Sequence, residues 1–227
     1  MAKLLEVIVT SVQDAIEAEV GGADRLELVR DLEVGGLTPS LELVNRVLAA
    51  VALPVRVMLR EQASMSAGGM AGIALLTLRA EEFSRLPIDG IVAGFTEKGK
   101  IDRTAMSAVI QAAPHCAITF HRAFDELADP AAAINELKEF AQVDRILTIG
   151  GSGDWKTRKQ RLQTWQKIAA PEIALLVGAG LSPDVLMDLR NGSGLQEFHI
   201  GRAARRPQTV FGAVHRDAVR QLRTTLK

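Results

Sequence analysis

The chain has 227 residues, of which 48% are hydrophobic and 24% are charged, and its formal net charge is zero. The balance of 27 basic and 27 acidic residues argues against broad nucleic-acid binding, which needs a basic surface. No apolar run is long enough for a transmembrane helix, and the first residues lack the pattern of a signal peptide. The single cysteine, Cys116, cannot form a disulfide within the chain, which favours the cytoplasm. Together these features lead us to expect a cytoplasmic protein that binds neither nucleic acid nor membranes.

Strand-like and helix-like segments alternate along the whole chain. Short apolar runs predict eight strands, and the longer segments between them predict helices. Asp129 before Pro130 and Ser182 before Pro183 are typical helix starts, with a capping side chain ahead of a proline at the first helical position. The strands are predicted at residues 4–9, 23–28, 55–59, 88–93, 116–120, 143–148, 173–177 and 195–200, and the helices at 12–20, 41–51, 73–86, 104–112, 130–140, 156–168 and 183–189.

This alternation predicts the fold class. Strands that are joined by helices are parallel and are connected by right-handed crossovers. At 227 residues, a closed (β/α)8 barrel, or TIM barrel, fits best, and an open doubly wound sheet is the alternative. We expect a single domain over residues 1–227, in which a basic tail from about residue 203, including a last helix, covers the barrel.

Charged side chains lie inside the most apolar of these strands. Because strand residues alternate between two faces, each such strand has one apolar face and one face with charges. Buried charges persist when they are paired or hydrogen-bonded, so several such strands predict a shared polar interior. The residues concerned are Glu6, Arg25, Glu27, Arg56, Arg60, Glu197 and His199.

The carboxyl ends of the strands supply candidate catalytic residues, because the active sites of TIM barrels form at that rim. We predict Glu27 and His121 as an acid–base pair, with Glu6 on the same interior face and Asp125 orienting His121 or Arg122. Two structural interpretations stay open: an internal ion-pair network that holds Glu6, and a turn that is capped by Asp125.

Arginines and glycine-rich turns near the same rim predict the binding of a small anionic ligand. Guanidinium groups bind carboxylates and phosphates, and glycine lets backbone N–H groups approach an anion. Turns after strands seven and eight often form the phosphate site of a barrel. Simple tight turns and internal ion pairs are the structural alternatives. The predicted ligand-binding residues are Arg25, Arg60, Arg122, Gly178, Gly180, Gly201 and Arg202.

Metal ligation has less support in the sequence. Copper(I) prefers cysteine and methionine, but Cys116 is alone at the start of its strand, and Met58 and Met65 lie in positions typical of packing. Imidazole and carboxylate groups suit harder divalent ions, although no spacing here is diagnostic. The candidate ligands are His121, His199 and Glu197, with Glu6 and Glu27 as further carboxylates.

Several motifs together resemble one protein family. Residues 21–28, Gly-Gly-Ala-Asp-Arg-Leu-Glu-Leu, and residues 119–125, Thr-Phe-His-Arg-Ala-Phe-Asp, are the most specific of them. Residues 35–40, 145–148 and 192–199 match as well, so the resemblance to the CutC family covers nearly the whole chain in order. The resemblance implies a cytoplasmic TIM barrel, often self-associating, that is assigned to copper homeostasis. Copper as the ligand is implied by this resemblance alone.

The chain departs from the family pattern at three places. Residues 60–65, Arg-Glu-Gln-Ala-Ser-Met, stand where the family has roughly Arg-Pro-Arg-Gly-Gly-Asp. Val29 stands where many relatives have cysteine, and residues 177–180, Val-Gly-Ala-Gly, stand where they have Pro-Gly-Gly-Gly. The missing cysteine removes one thiolate ligand for copper, and the altered loop after strand three changes the rim that would select a ligand.

Three functions are therefore considered. The first is a CutC-like protein of copper homeostasis that binds or handles copper. The alternative is an enzyme acting on a small anionic or phosphorylated metabolite, in which Glu27 and His121 transfer protons while Arg60 and Arg122 orient the metabolite. A third is a barrel that is retained as an oligomeric binding module.

Overall fold

The structure, a computed structural model, describes residues 3–227. It confirms the predicted TIM barrel, because eight parallel strands pair with their neighbours in chain order and the last strand pairs with the first. Most strand bounds agree with the predicted ones to within two residues. The strands are Leu4–Val9 (β1), Arg25–Leu28 (β2), Val55–Met58 (β3), Gly90–Ala93 (β4), Ala117–Phe120 (β5), Val143–Thr148 (β6), Ala174–Val177 (β7) and Glu197–Ile200 (β8).

A helix follows each barrel strand. Asp129 and Ser182 cap their helices as predicted: Asp129 accepts from two backbone N–H groups of the first turn, and Ser182 accepts from one. The third helix begins at residue 69 rather than at the predicted 73, because it starts directly after Gly68, whose φ of 82° glycine adopts without strain. The helices are Val12–Gly21 (α1), Leu41–Ala50 (α2), Gly69–Ser84 (α3), Arg103–Ala112 (α4), Pro130–Leu137 (α5), Trp155–Ala169 (α6), Pro183–Arg190 (α7) and Arg216–Leu226 (α8).

The register of the strands turns charged side chains toward the barrel axis. β1 pairs with β8 so that Glu6 lies opposite His199, and it pairs with β2 so that Glu6 lies opposite Arg25. Leu5 and Val7 have the opposite orientation and are fully buried in the hydrophobic core with the helices. The alternation that was predicted from the sequence is therefore the alternation between barrel interior and helix layer.

The last helix, α8, packs against α1 and α7 and so completes the helical layer. The contact with α1 is close at Gly21, where a β-carbon would lie 2.5 Å from the β-carbon of Val219. A side chain at position 21 would therefore push the two helices apart. No helix within residues 3–227 combines the length and the apolar character that crossing a membrane requires.

A short hairpin between β8 and α8 reaches over the carboxyl ends of the strands. Its two strands are Arg205–Arg206 and Ala213–Val214, and its loop brings Val210 to the rim of the barrel. The hairpin is fixed by buried Asp14, which accepts a hydrogen bond of 2.9 Å from the backbone N–H of Val214. The tail from about residue 203 thus contributes both a helix of the outer layer and one wall above the barrel.

Candidate functional site

A cavity of about 380 Å³ opens at the carboxyl ends of the barrel strands. Its walls are mostly apolar, and its polar groups converge from five different strand ends and loops. This combination is typical of sites for small molecules, which lie at this end of TIM barrels. The charged or ionisable residues on the cavity are Glu27, Arg60, His121, Arg122, His199 and Arg202.

Glu6 and Arg25 lie below this cavity, inside the barrel. The Nε atom of Arg25 donates to Oε2 of Glu6 at 2.5 Å, and its Nη2 atom donates to Oε2 of Glu197 at 2.9 Å. Arg145 donates to the same Glu197 oxygen at 2.6 Å. Arg25 therefore bridges two buried carboxylates, and it does not line the cavity. Its role in ligand binding stays a prediction.

His199 forms the floor of the cavity and contacts Glu6, which lies below it. Its Nδ1 atom lies 2.7 Å from Oε1 of Glu6. Burial would raise the pKa of Glu6, but Arg25 and His199 hold that pKa well below its usual range. Burial would likewise lower the pKa of His199, but the charge of Glu27 and the hydrogen bond to Glu6 raise it. These two shifts favour the charged forms of the pair, in which Nδ1 of His199 donates to Oε1 of Glu6.

Glu27 faces the cavity with an unsatisfied oxygen. Its Oε2 atom is buried without a hydrogen-bond partner in the described residues, 3.9 Å from Nδ1 of His199. Burial raises the pKa of Glu27 to about 7 against the opposing charge of His199. A buried carboxylate with a free oxygen and a pKa near neutrality suits a ligand for a cation or a base for a proton.

His121 presents a hydrogen-bond donor to the same cavity. Its Nδ1 atom accepts the backbone N–H of Ala123 at 3.1 Å, so the proton of the neutral ring is on Nε2. This Nε2 atom is buried and has no partner among residues 3–227. Burial, together with the charges of Arg60 and Arg122, lowers the pKa of His121 to about 3, so the ring stays neutral. The ring packs on Gly94, where a β-carbon would lie 2.9 Å from Nδ1.

Arg60 connects two of the loops that form the cavity. Its Nη1 atom donates to the carbonyl oxygens of Val34 at 3.2 Å and Gly36 at 3.0 Å, in the loop after β2. Its other nitrogens donate to the carbonyls of Ala63 and Ser64, in the loop after β3. Arg60 lies on the cavity as predicted, but its donors are engaged by backbone oxygens, so orienting a ligand remains an untested prediction.

Asp125 holds Arg122 rather than His121. It accepts from Nε of Arg122 at 3.2 Å and from the hydroxyl of Thr148 at 2.6 Å, and it does not line the cavity. Arg122 is half exposed and does line it. Of the two orienting roles that were considered for Asp125, the geometry favours the one toward Arg122.

The two predicted glycine turns contribute unequally. Gly180 and Gly201 line the cavity, and a β-carbon at Gly180 would meet no atom within 4 Å, so this part of the rim is open. Gly178 instead packs beneath it, where a β-carbon would lie 3.2 Å from Cδ2 of His199. Between them, Ala179 adopts a φ of 60°, a left-handed conformation that favours glycine. Arg202 lies beside this turn and makes no ion pair in the part of the chain that the structure describes.

An ion-pair network closes the opposite end of the barrel interior. Arg56 donates to both carboxylate oxygens of Asp144, each at 2.7 Å, to Asp89 at 2.8 Å and to the hydroxyl of Thr119 at 2.6 Å. Sequence reasoning assigned no role to Asp89 and Asp144. A repeated pattern in the sequence could have identified them: in residues 88–90 and 143–145 an aspartate follows an apolar residue at the start of a strand.

Three side chains are arranged as potential metal ligands. Glu6, Glu27 and His199 each offer a ligand atom, and these atoms lie within 4.8 Å of one another. His121 fits less well, because its free Nε2 atom carries the ring proton. Glu197 is engaged by two arginines. These observations favour Glu6, Glu27 and His199 over the other two residues that were considered as ligands.

Soft ligands for copper are limited. The thioether side chains of Met58 and Met65 line the cavity, which the sequence did not predict. Cys116 is a free, buried cysteine directly before β5, at the amino end of that strand. It therefore lies at the end of the barrel opposite the cavity, as its position in the sequence indicated.

Comparison with known proteins identifies the family. The model of the CutC family matches residues 3–204. A family protein CutC of Xanthomonas campestris pv. campestris (strain B100) is 34% identical over 212 residues, which are 93% of this chain and 86% of that protein. The human copper homeostasis protein cutC homolog is 34% identical over 197 residues, which are 86% of this chain and 72% of that protein. A CutC crystal structure from Streptococcus agalactiae has a TM-score of 0.78 and 23% identity, and it covers 88% of this chain and 98% of its own. The predicted resemblance is thereby confirmed, and the chain belongs to the CutC family.

Proposed function

We propose that the protein acts in copper homeostasis and binds a copper ion at Glu6, Glu27 and His199. The human relative is named for copper homeostasis, which supports the metal. One observation supports the position of the site. The Oε2 atom of Glu27 is buried without a hydrogen-bond partner within residues 3–227 and lies 3.9 Å from Nδ1 of His199. A cation would give this oxygen the partner that it lacks.

The distances in this cluster agree with a divalent ion. Nδ1 of His199 lies 2.7 Å from Oε1 of Glu6 and 3.9 Å from Oε2 of Glu27. Ligands at bond lengths of about 2.0–2.2 Å are separated by roughly 3 Å when adjacent and 4 Å when opposite. Imidazole and carboxylate ligands suit copper(II), whereas copper(I) prefers sulfur. Copper would replace the proton between His199 and Glu6, and the second oxygen of Glu6 would stay bound to Arg25.

Copper binding is expected to depend on Glu27. In a calorimetric titration of the metal-free protein with copper(II), Glu27→Gln should weaken binding by at least about tenfold, because the amide is a neutral and poorer ligand. His199→Asn should weaken binding as well. Glu81→Gln, which changes an exposed glutamate on α3, is the matched control and should bind like the unchanged protein.

Two results would contradict the copper proposal. One is an unchanged protein that binds copper(II) no more tightly than micromolar. The other is equal affinity of the unchanged protein and Glu27→Gln, which would move the metal elsewhere. Circular dichroism of each variant establishes beforehand that it is folded.

A second function, an enzyme acting on a small anionic metabolite, rests on the free oxygen of Glu27 together with a second unpartnered atom, on His121. A buried acceptor on Glu27 and a buried donor on His121 both lack partners within residues 3–227 and both line one cavity. Unpartnered buried polar atoms are costly, which is why they mark sites that a ligand completes. Arg122 and Arg202 on the same cavity provide positive charge for an anion.

Anionic ligands should therefore stabilise the protein. Hydroxypyruvate or dihydroxyacetone phosphate is expected to raise the melting temperature by mass action, whereas neutral dihydroxyacetone should raise it less. Arg202→Ala should weaken the effect of the two anions about tenfold, because the guanidinium of Arg202 lines the cavity and has neither an ion pair nor a hydrogen bond within the described chain. Equal shifts with the anionic and the neutral compound would remove the anion preference. The expected self-association and cytoplasmic location remain predictions.

A further inference from the structure

We propose that the cavity catalyses proton transfer at the carbon next to the carbonyl group of a small anionic α-hydroxy ketone, with Glu27 as the base and His121 as the donor to the carbonyl oxygen. This inference deepens the second function above and rests on it. It adds the reaction class and the part that each residue plays in it.

The donor is preorganised by the backbone. The N–H group of Ala123 occupies Nδ1 of His121, and Gly94 leaves room for the ring against its strand. The ring lines the cavity and carries one N–H, on the buried Nε2 atom. A buried N–H that is fixed before the substrate binds stabilises charge on an oxygen without the cost of reorganisation. The Nε2 atom has no partner among the described residues, so the structure leaves it for a ligand acceptor.

The base is held in a comparable way. Glu27 is 2% exposed, lies near the end of β2 and lines the cavity, and its Oε2 atom is buried without a hydrogen-bond partner among the described residues. His199 below it donates to Glu6 and not to Glu27, whose Oε2 atom lies 3.9 Å away. The ring of His199 thus lies near the carboxylate without occupying its Oε2 atom, which has no hydrogen-bond partner among the described residues. That oxygen is free to take a proton.

The anionic end of the substrate is assigned to the other side of the cavity. Arg202 and the open backbone of Gly180 and Gly201 lie together there, in the turns after β7 and β8. Arg122 adds a second positive charge at the rim. A volume of about 380 Å³ is near the lower end for ligand pockets, which limits the substrate to a small metabolite.

The proton transfer needs no co-reactant. Glu27 takes the proton from the carbon next to the carbonyl, the C–H electron pair forms the carbon–carbon double bond, and the carbonyl π electrons move to the oxygen. That oxygen accepts the hydrogen bond from Nε2 of His121. Return of a proton to the same carbon exchanges the carbon-bound hydrogen or inverts the configuration of that carbon. Return of the proton to the former carbonyl carbon, with transfer of the hydroxyl proton to the former carbonyl oxygen, isomerises the substrate.

The test is the exchange of carbon-bound hydrogen in D₂O, followed by proton NMR. The probes are hydroxypyruvate and dihydroxyacetone phosphate, with neutral dihydroxyacetone for comparison. A chelator is present throughout, because free metal ions promote enolisation and copper would occupy Glu27. The unchanged protein should exchange the anionic probes faster than buffer does. The two anions separate a preference for carboxylate from a preference for phosphate.

Four variants assign the roles. Glu27→Gln should reduce exchange by at least about a hundredfold, as expected for loss of a general base. His121→Asn keeps an acceptor for Ala123 but removes the Nε2 donor, and it should reduce exchange by about 10²–10³-fold. Glu81→Gln and His115→Asn change exposed residues of the same types and should exchange like the unchanged protein. Thermal shifts with each probe show whether binding persists.

Each outcome bears on the inference. Exchange that is lost in Glu27→Gln while the thermal shift persists supports it. Exchange that survives in Glu27→Gln overturns it. Anionic probes that raise the melting temperature without any exchange overturn the reaction class but leave the anion-binding enzyme standing. A protein that neither binds nor exchanges any probe overturns both.

Discussion

Replacing Arg25 with methionine is expected to lower the free energy of unfolding by about 3–5 kcal/mol. Arg25 is 3% exposed and bridges Glu6 and Glu197 inside the barrel. Glu6 is fully buried, so it cannot turn to water when its partner is lost. Without Arg25 the Glu6 carboxylate keeps only His199 as a partner, and breaking a buried ion pair from one side costs more than the intact pair contributes.

A second variant separates that cost from the loss of packing. In Arg25→Met with Glu6→Gln, the charge of Glu6 is removed, and the amide oxygen still accepts from His199. Glu197 keeps Arg145 as its partner at 2.6 Å. The double variant should therefore regain at least about 2 kcal/mol relative to Arg25→Met, because the buried carboxylate that lost its guanidinium is gone. A double variant as unstable as Arg25→Met would mean that Arg25 acts through packing alone.

Chemical unfolding followed by circular dichroism measures these differences. The matched control is Arg220→Met, which breaks an exposed pair with Asp217 at 2.6 Å on α8. Exposed pairs contribute little, so this variant should lose less than about 1 kcal/mol. Equal losses in Arg25→Met and Arg220→Met would contradict the role of burial.

The sequence predicted which side chains enter the barrel, and physical reasons explain why. Alternation has a fixed period of two, so Glu6, Arg25 and Glu27 were placed on the interior faces of their strands by local pattern alone. Their spacing in the chain did not reveal that Arg25 also reaches Glu197. That contact depends on the stagger between β1, β2 and β8, which only the closed barrel fixes.

The conformation of the loops was not predictable in the same way. Arg60 was predicted to bind a ligand because it ends a strand at the functional rim. In the structure its donors are bound by the carbonyls of residues 34, 36, 63 and 64. Which backbone oxygens face a guanidinium depends on loop geometry, and loops lack the periodicity on which the strand prediction relied. The same limit applies to the turn that places Asp125 on Arg122.

Acid stability provides the second large effect, because His121 is buried as a neutral ring. Between pH 7 and pH 4 the free energy of unfolding of the unchanged protein is expected to fall by about 3 kcal/mol more than that of the His121→Asn variant. The reason is that the pKa of His121 is lowered to about 3 in the folded protein. The unfolded chain has a histidine pKa of about 6.5 and takes up a proton over this range, which the folded chain does not. A proton that only the unfolded chain takes up favours unfolding. The contribution of neutral His121 to the free energy of unfolding is therefore fully present above pH 6.5 and is lost as the pH falls.

The comparison isolates His121 from the other groups that titrate. The low pKa of Glu6 and the raised pKa of His199 affect both proteins, so they cancel in the difference if the substitution leaves them unchanged. Arg60 and Arg122, the charged groups that oppose protonation of His121, also remain in both. Urea unfolding at several pH values measures the effect, and His115→Asn, at an exposed histidine, should behave like the unchanged protein.

The acid-stability measurement also tests the chemistry of the cavity. A ring that stays neutral down to pH 4 offers its Nε2 hydrogen to a ligand oxygen over the whole physiological range. If the unchanged protein and His121→Asn lose stability in parallel, the ring is protonated in the folded protein as well. Its Nδ1 atom would then carry a second proton facing the N–H of Ala123, and that hydrogen bond would be lost. The backbone contact that fixes the direction of the Nε2 donor would then be absent at every pH at which the ring is protonated.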